Sequence, residues 1–427
     1  MTLVRRRHVI YVQGYDPRGL PEYHRMFRSE YQKFCGLYGL DGKIGKRSEA
    51  QDRFSTTWPV TTAGDGWRVE TSYEFLRWED IIRKDFERPA WWAIAIGLRD
   101  LFVSIADGTF PRIMHAHWRF GLFIAYPIVV VLVFALLAAL FGMFVTTLVD
   151  KAIPPGLLPE VIGLTAGFIS FAAILRITEP QTYVIYIFQD AISTIQYAKR
   201  RRPDWEERLE LFATAVVEAA RAATADEILV VGHSSGSFLA VDVLTRALKR
   251  DPKLGSYGPR VTLLTMGGNL PIVGFQPIAG WFRDRLAQLA ADPTLDWVDY
   301  QSRRDIMNFF RLDPLAVHGI DPAKARINLR VVPIQFREIV SPQTFSRLIW
   351  HFFDLHFQFL RANEYPHAFD YFMIVAGPFS LRTRLANPAD VVTAVGSDKA
   401  AARAAWERIQ STTAQQQGGE PCQQPLP

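Results

Sequence analysis

The chain has 427 residues, which is long for one domain and short for three. Its 48 basic and 43 acidic side chains are interspersed, so the net charge of +5 does not indicate a nucleic-acid partner. The two cysteines, Cys35 and Cys422, are too far apart to indicate a metal site and fit a reducing compartment.

The first 88 residues have the pattern of a strand–helix–strand unit. Residues 8–13 are mostly apolar and predict a strand that ends at Gly14, and residues 67–76 alternate as a second strand does. Apolar side chains at helical spacing over residues 21–37 predict a helix between them. We assign residues 1–88 to the first part of a folded domain.

An apolar segment with paired tryptophans follows at residues 89–105. Its few charges fit a helix that lies in the plane of a membrane interface. A helix packed on the body of the protein is the alternative.

Residues 120–149 contain no charged side chain. A bilayer core needs about 20 apolar residues in a helix, so we predict a transmembrane helix at about 120–148. A second apolar segment at 157–177 carries Glu160 and Arg176 only near its ends. The two segments predict a transmembrane hairpin within a membrane-associated insertion at 89–198.

The cations around this hairpin predict its orientation. Arg112 and Arg119 precede it, Arg176 and the basic run at 199–202 follow it, and the connecting loop offers only Lys151. The positive-inside rule then puts both folded segments and both termini in the cytoplasm, as in a bacterial-type inner membrane. The basic run is either a solvated helix end or a contact with anionic headgroups.

A strand–turn–helix pattern follows the membrane segments. Residues 228–231 predict a buried strand, and helical spacing of apolar residues begins at Phe238. Between them the sequence has the pattern G-x-S-x-G, formed by Gly232, His233, Ser234, Ser235 and Gly236. A sharp turn here strains the serine backbone, and the two glycines let strand and helix approach. An ordinary glycine-rich turn is the alternative.

This pattern resembles the nucleophile elbow of the α/β-hydrolase family. Three further segments predict strands, at residues 261–266, 295–300 and 329–334, with helical segments between them. Strands alternating with helices indicate the α/β class, a mostly parallel sheet flanked by helices. The six predicted strands fit a hydrolase core that lacks the family's first two antiparallel strands and resumes at residues 199–386.

The resemblance implies that an acid follows the nucleophile and that a histidine comes last. The histidine takes the proton of the serine, and the carboxylate orients the imidazole. Asp305, in the loop after the strand at 295–300, matches the position of the family's acid. Asp299, inside that strand, is the alternative, and Asp305 could instead pair with Arg303 or Arg304 on the surface.

Four histidines lie after Asp305, and His318 precedes the last predicted strand. His356 lies in the pattern His-x-x-aromatic-Leu, which resembles the start of the closing helix in many lipase-like hydrolases. We expect His356 to be the catalytic base. His367, in a loop before an aromatic segment, is the alternative base, and His351 shares the segment of His356.

The resemblance also implies an oxyanion hole built from backbone N–H groups. Ser235 would supply one, and the loop after the first strand, at Gly14 and Tyr15, the other. The family usually has His-Gly where this chain has Gln13 and Gly14, but a backbone donor does not depend on that side chain. Ordinary turn formation is the alternative role for Gly14.

These features predict a membrane-anchored serine hydrolase that cleaves an ester or thioester through an acyl-enzyme. The bilayer anchor favours an amphiphilic lipid or acyl ester, with acyl transfer to another acceptor as a close variant. A catalytically silent hydrolase fold that serves as a membrane scaffold is the competing hypothesis. No metal and no cofactor are expected. Residues 387–427 are predicted to form a disordered tail.

Overall fold

The computed structural model describes residues 3–50, 54–153, 156–321 and 328–388. Residues 389–427, which hold Cys422 and nearly all of the predicted tail, lie outside the described residues. The described chain divides into two compact units. We call them the sheet unit, which is the chain up to Arg83, Arg202–Gly274 and the chain from Ile278 onward, and the helical unit, which is Lys84–Arg201 with Phe275–Pro277. The predicted insertion at 89–198 lies within the helical unit.

The strands all belong to one sheet. Within the described residues they are β1 (Arg6–Val12), β2 (Asp41–Ile44), β3 (Ser48–Ala50), β4 (Ser55–Gly64), β5 (Trp67–Leu76), β6 (Glu227–His233), β7 (Arg260–Met266), β8 (Leu295–Ser302) and β9 (Leu329–Ile334). Their order is β2-β4-β5-β1-β6-β7-β8-β9, and β3 also pairs with β4.

The six strands from β5 to β9 in this order are parallel to one another. They are the six strands that the sequence predicts, and their bounds differ from the prediction by at most two residues. The fold is therefore α/β with a mostly parallel sheet, as expected. Apolar runs identify β1, β6 and β7, because parallel strands in the middle of a sheet are buried on both faces, whereas β5 is identified by its alternation.

The sequence analysis missed three antiparallel strands at the β5 edge of the sheet. β4 pairs antiparallel with β5, and β2 and β3 pair antiparallel with β4. β4 is rich in threonine and contains Pro59, so it shows no continuous apolar run. Its signal is instead the two-residue link Asp65-Gly66, a common hairpin dipeptide, which joins it to β5.

Helices flank the sheet. In chain order the described helices are α1 (Leu20–Tyr38), α2 (Glu79–Phe86), α3 (Ala90–Ala106), α4 (Thr109–Ala116), α5 (Trp118–Val149), α6 (Leu157–Thr182), α7 (Val184–Ala198), α8 (Pro203–Ala222), α9 (Gly236–Arg250), α10 (Leu270–Gly274), α11 (Gly280–Ala291), α12 (Pro342–Leu348), α13 (Phe352–His356), α14 (Tyr371–Ala376) and α15 (Leu381–Ala386). Tyr11 of β1 and Val231 of β6 share one core with α1 and α14. Helices α8 and α9 pack against β6 and contribute no residue to that core.

The helical unit contains α5 and α6, the two helices of the described chain that are long and apolar enough to cross a membrane. They contain the predicted spans 120–148 and 157–177, and α6 continues to Thr182. His117 caps the start of α5, where its Nδ1 accepts the Phe120 N–H at 3.2 Å. A Cβ atom added to Gly163 would lie 2.7 Å from the Gly142 carbonyl oxygen, so the two helices touch through small residues.

The predicted basic run at 199–202 is only partly available to a membrane surface. Arg200 and Arg201 are exposed. Arg202 is buried, pairs with Asp204 at 2.8 Å and lies over the Trp205 ring. A contact of this run with lipid headgroups can therefore involve residues 199–201 but not Arg202.

Candidate active site

Ser234 lies in the sharp turn between β6 and α9, and its φ angle is 57°. Few residues other than glycine adopt this left-handed region, which costs roughly 1–3 kcal/mol and persists only where the surroundings enforce it. The Ser234 N–H donates to the Met266 carbonyl at 3.1 Å, and the Ser234 carbonyl accepts from Ser237 N–H at 2.9 Å. The turn therefore has the strained backbone that the sequence pattern predicts.

Both glycines of the pattern are required by close packing. A Cβ atom at Gly232 would lie 2.7 Å from the Ser237 Cα atom, so a side chain would collide with the start of α9. A Cβ atom at Gly236 would lie 2.8 Å from the carbonyl oxygen of Gln13, which directly follows β1. These distances are shorter than real Cβ contacts, so strand, turn and helix fit together only because neither position has a side chain.

Asp305 is buried in the loop that follows β8. Its Oδ1 accepts the Met307 N–H at 2.9 Å. The Asn308 side chain closes this loop, since its Nδ2 donates to the Ser302 and Asp305 carbonyls at 2.9 and 2.6 Å. These bonds fix the orientation of the carboxylate and therefore the direction in which its second oxygen, Oδ2, points.

That direction is toward His356, the last residue of α13. Asp305 Oδ2 and His356 Nδ1 are 2.7 Å apart, and both side chains are almost completely buried. A carboxylate can only accept, so Nδ1 carries the proton and Nε2 presents a lone pair. Among the described residues, Ser234 included, none hydrogen-bonds to His356 Nε2. A buried nitrogen with a free lone pair is what a general base requires.

The His356 ring lies beside the serine turn. A Cβ atom added to Gly267 would be 2.9 Å from His356 Cε1, and Gly267 directly follows Met266, whose carbonyl binds the Ser234 N–H. Gly267 has a φ angle of 55°, so it is required both by its backbone conformation and by the space for the imidazole.

His233, next to Ser234, holds the imidazole from a second side. The rings of His233 and His356 are 4.5 Å apart between centroids, and His233 Nε2 lies 3.2 Å from the His356 carbonyl oxygen. Since the carbonyl only accepts, Nε2–H of His233 donates. Burial, followed by the Coulomb interaction with His356, holds the pKa of His233 well below its usual value, so this ring stays neutral.

The predicted oxyanion residues flank the serine. A Cβ atom on Gly14 would lie 3.0 Å from the Ser234 Cβ atom, so Gly14 lets the loop after β1 approach Ser234 closely. Tyr15 is buried against Trp78 and Trp205, which fixes its backbone. Ser235 is the N-cap residue of α9, at the positive end of the helix dipole.

Two more buried side chains near the turn have polar atoms without a hydrogen-bond partner within the described chain. Both polar atoms of Gln13 and the Oδ1 atom of Asn269 have no partner there, and Asn269 Nδ2 reaches Ser235 Oγ at 3.4 Å. Buried polar groups are nearly always satisfied in folded proteins, and a functional role is one explanation of an exception. Gln13, Asn269 and His356 belong to segments that meet at the Ser234 turn.

The alternative residues of the sequence analysis have other partners. The carboxylate of Asp299 accepts from Thr265 Oγ1 of β7 at 2.6 Å and from Gln301 Nε2 of β8 at 2.7 Å. His367 Nδ1 accepts the Phe369 N–H at 3.0 Å, and its Nε2 lies 3.5 Å from Glu338.

The other two histidines lie elsewhere. His351 is exposed before α13, and His318 packs against Gly274 at the end of α10. Of the candidate bases, His356 is the one hydrogen-bonded to the carboxylate of Asp305.

The supporting residues Asn308 and Asn269 and the bond made by His233 were not predicted from the sequence. Gly267 and Gly268 directly after a predicted strand were a usable signal for close packing at this edge of the sheet. Asn308 gave no signal, because a single asparagine in a loop has many ordinary roles.

No family model, no curated protein and no solved structure matches the chain. The interpretation of the site therefore depends on its own residues and their geometry.

Proposed function

We propose that this protein is a membrane-anchored serine hydrolase of the α/β-hydrolase type that cleaves an ester or thioester through an acyl-enzyme. The observation that carries the proposal is the buried 2.7 Å bond between Asp305 and His356 beside a serine with a φ angle of 57°. Each feature alone has structural explanations. Their coincidence at one edge of a parallel sheet, with the imidazole lone pair unused, favours acyl chemistry.

In the proposed reaction His356 Nε2 takes the Ser234 Oγ proton while Oγ attacks the acyl carbonyl carbon. Asp305 stabilises the imidazolium that forms, and the backbone N–H groups of Tyr15 and Ser235 are the proposed donors to the oxyanion. The imidazolium then gives its proton to the departing alcohol or thiol, leaving the acyl group on Ser234. Water, deprotonated by the same nitrogen, releases the acid and restores the serine.

The missing Ser234–His356 hydrogen bond is compatible with this proposal. Catalytic hydrogen bonds are often long without substrate and shorten in the Michaelis complex. The cost of holding Ser234 in its strained conformation supports a role for that exact backbone geometry, since an ordinary turn would relax it.

The proposed substrate is an amphiphilic lipid or acyl ester. Two helices able to cross a bilayer would anchor the sheet unit at a membrane. Such an anchor brings no advantage to an enzyme that acts on small soluble esters. The same acyl-enzyme would support transfer to an acceptor other than water. The cation distribution around the hairpin favours a cytoplasm-facing site.

The test is labelling of the full-length protein in membranes with a fluorescent fluorophosphonate, which phosphonylates an activated serine. We expect the native protein to be labelled and Ser234→Ala to be unlabelled at equal expression and folding. Ser72→Ala, at a partly exposed serine of β5, is the matched control and should be labelled normally. Absence of labelling in the native protein, or labelling that persists in Ser234→Ala, contradicts the proposal, and the first result favours the silent scaffold.

A further inference from the structure

Helix α3 has two faces of opposite character. Ala93, Gly97 and Asp100 are buried against the rest of the helical unit. A Cβ atom on Gly97 would lie 2.6 Å from Phe188 Cε1, so α3 and α7 are in close contact along this line. The face of α3 that carries Ala93 and Gly97 is therefore packed against the helical unit.

The opposite face is apolar and exposed. Trp91 and Phe102 are 69% and 73% exposed, and Leu98 and Ile105 are also exposed. At 3.6 residues per turn these four side chains fall within about 60° of one another, which makes one stripe along the helix. A helix on the surface of a soluble protein presents polar side chains there, so this stripe needs a partner.

Other members of the helical unit indicate what that partner is. Ala93 of α3 shares a core with Val131 of α5, Leu175 of α6 and Phe188 of α7. Outward side chains of the two long helices, such as Leu136 and Leu164, are apolar and exposed in the same way. The α3 stripe thus belongs to the same packed unit as the surfaces that α5 and α6 present to lipid.

The topology of the sheet excludes a third crossing by α3. Strand β1 pairs with both β5, which precedes α3, and β6, which follows α6. Strands of one sheet lie on one side of the bilayer, so the chain between Leu76 and Glu227 crosses an even number of times. Helices α5 and α6 supply two crossings, so a crossing by α3 would need a fourth. The remaining helices of the insertion, α4 with 8 residues and α7 with 15, are too short to supply it, and α3 therefore enters and leaves on the same side.

We propose that α3 lies in the plane of the membrane interface with Trp91, Leu98, Phe102 and Ile105 inserted among the lipids. Arg99 at the border of the stripe pairs with Asp100, and Arg88 before the helix stacks on Trp92. Both cations sit where a side chain reaches the headgroup region. The inference requires that α5 and α6 cross the bilayer and does not depend on the hydrolase activity.

The experiment uses spin labels on the full-length protein in vesicles of phosphatidylcholine and phosphatidylglycerol. Cys35→Ser and Cys422→Ser provide the background, and single cysteines replace Leu98, Phe102 and Ile105. Leu136→Cys on α5 is the control for the bilayer core, and Glu70→Cys on β5 is the control for water. The measurement is the accessibility of each label to oxygen, which concentrates in lipid, and to a water-soluble nickel complex.

We expect all three α3 labels to favour oxygen over nickel, at about 5–10 Å below the phosphates and shallower than the label at Leu136. Labels as accessible to nickel as the one at Glu70 would overturn the proposal. So would dipolar coupling between α3 labels of different molecules, which would identify the stripe as a contact between copies. A depth equal to that at Leu136 would also contradict it. Three positions are used so that one misfolded variant does not decide the result.

Discussion

Two buried aspartates, Asp299 and Asp305, lie close in sequence, but only Asp305 is bonded to the imidazole of His356. Asp305→Asn should therefore lower the acyl-transfer rate by about 10⁴-fold, because an amide no longer favours the tautomer with a free Nε2. Asp299→Asn is the matched control and should keep activity per labelled Ser234. The measurement is hydrolysis of a p-nitrophenyl acyl ester by both variants. Comparable losses in the two would mean that Asp305 is not the acid.

The same control variant has a predicted effect on stability. Burial, opposed by hydrogen bonds from Thr265 and Gln301, raises the pKa of Asp299 to about 6. A folded-state pKa above the unfolded value means that ionisation destabilises the fold, with the full cost above pH 6 and none below about pH 4. Asp299→Asn should raise the free energy of unfolding by up to about 3 kcal/mol at pH 7.5.

The asparagine can keep the local hydrogen bonds. Its amide can donate to Thr265 Oγ1, whose own hydroxyl can donate to the Val298 carbonyl, 3.4 Å away. Thermal unfolding of the solubilised protein should therefore show a higher midpoint for Asp299→Asn at pH 7.5 and a smaller difference near pH 4.5. A difference that does not change with pH would contradict the raised pKa.

At the scale of helices and strands, the sequence predicts an element well when burial alone determines its pattern. Strands β6 and β7 and helix α5 are mostly apolar runs, and their bounds follow from those runs. Strand β4 is not such a run, since it lies near the edge of the sheet and pairs through threonine-rich sequence. The candidate serine, acid and histidine could be predicted from their order in the sequence. The hydrogen bonds of Asn308 and His233 that hold them could not, because these bonds depend on tertiary structure that no local sequence pattern specifies.

Close packing of α5 and α6 gives a prediction at this scale. Gly163 faces the Gly142 carbonyl, whereas Leu164 is 76% exposed. Gly163→Val should force the helices apart and destabilise the protein by about 1–3 kcal/mol, and Leu164→Val should be nearly neutral. The measurement is the temperature at which the detergent-solubilised protein aggregates. Fluorophosphonate labelling of Ser234 at low temperature should survive in both, and equal stability of both variants would contradict the packing.

For the whole molecule, the sheet and the charges constrain the topology independently. Strand β1 pairs with β5, which precedes the helical unit in the sequence, and with β6, which follows it. The chain between β5 and β6 must therefore cross the membrane an even number of times, in either orientation of the hairpin. The charges choose between the two orientations, because the hairpin is flanked by arginines and its connecting loop offers only Lys151. The even number of crossings follows from the hydrogen bonds of the sheet. The orientation follows from a statistical preference of charged residues and is the part to test.

The orientation can be tested with single cysteines in the Cys35→Ser, Cys422→Ser background and an impermeant maleimide added to intact cells. Ala152→Cys, in the exposed loop after α5, should react from outside, and Glu70→Cys, on an exposed position of β5, should react only after lysis. The reverse pattern would place the sheet unit, with the proposed active site, on the outer side of the membrane. Reaction of both cysteines from the same side would mean that α5 does not cross, because these two positions flank that helix and a single crossing must separate them.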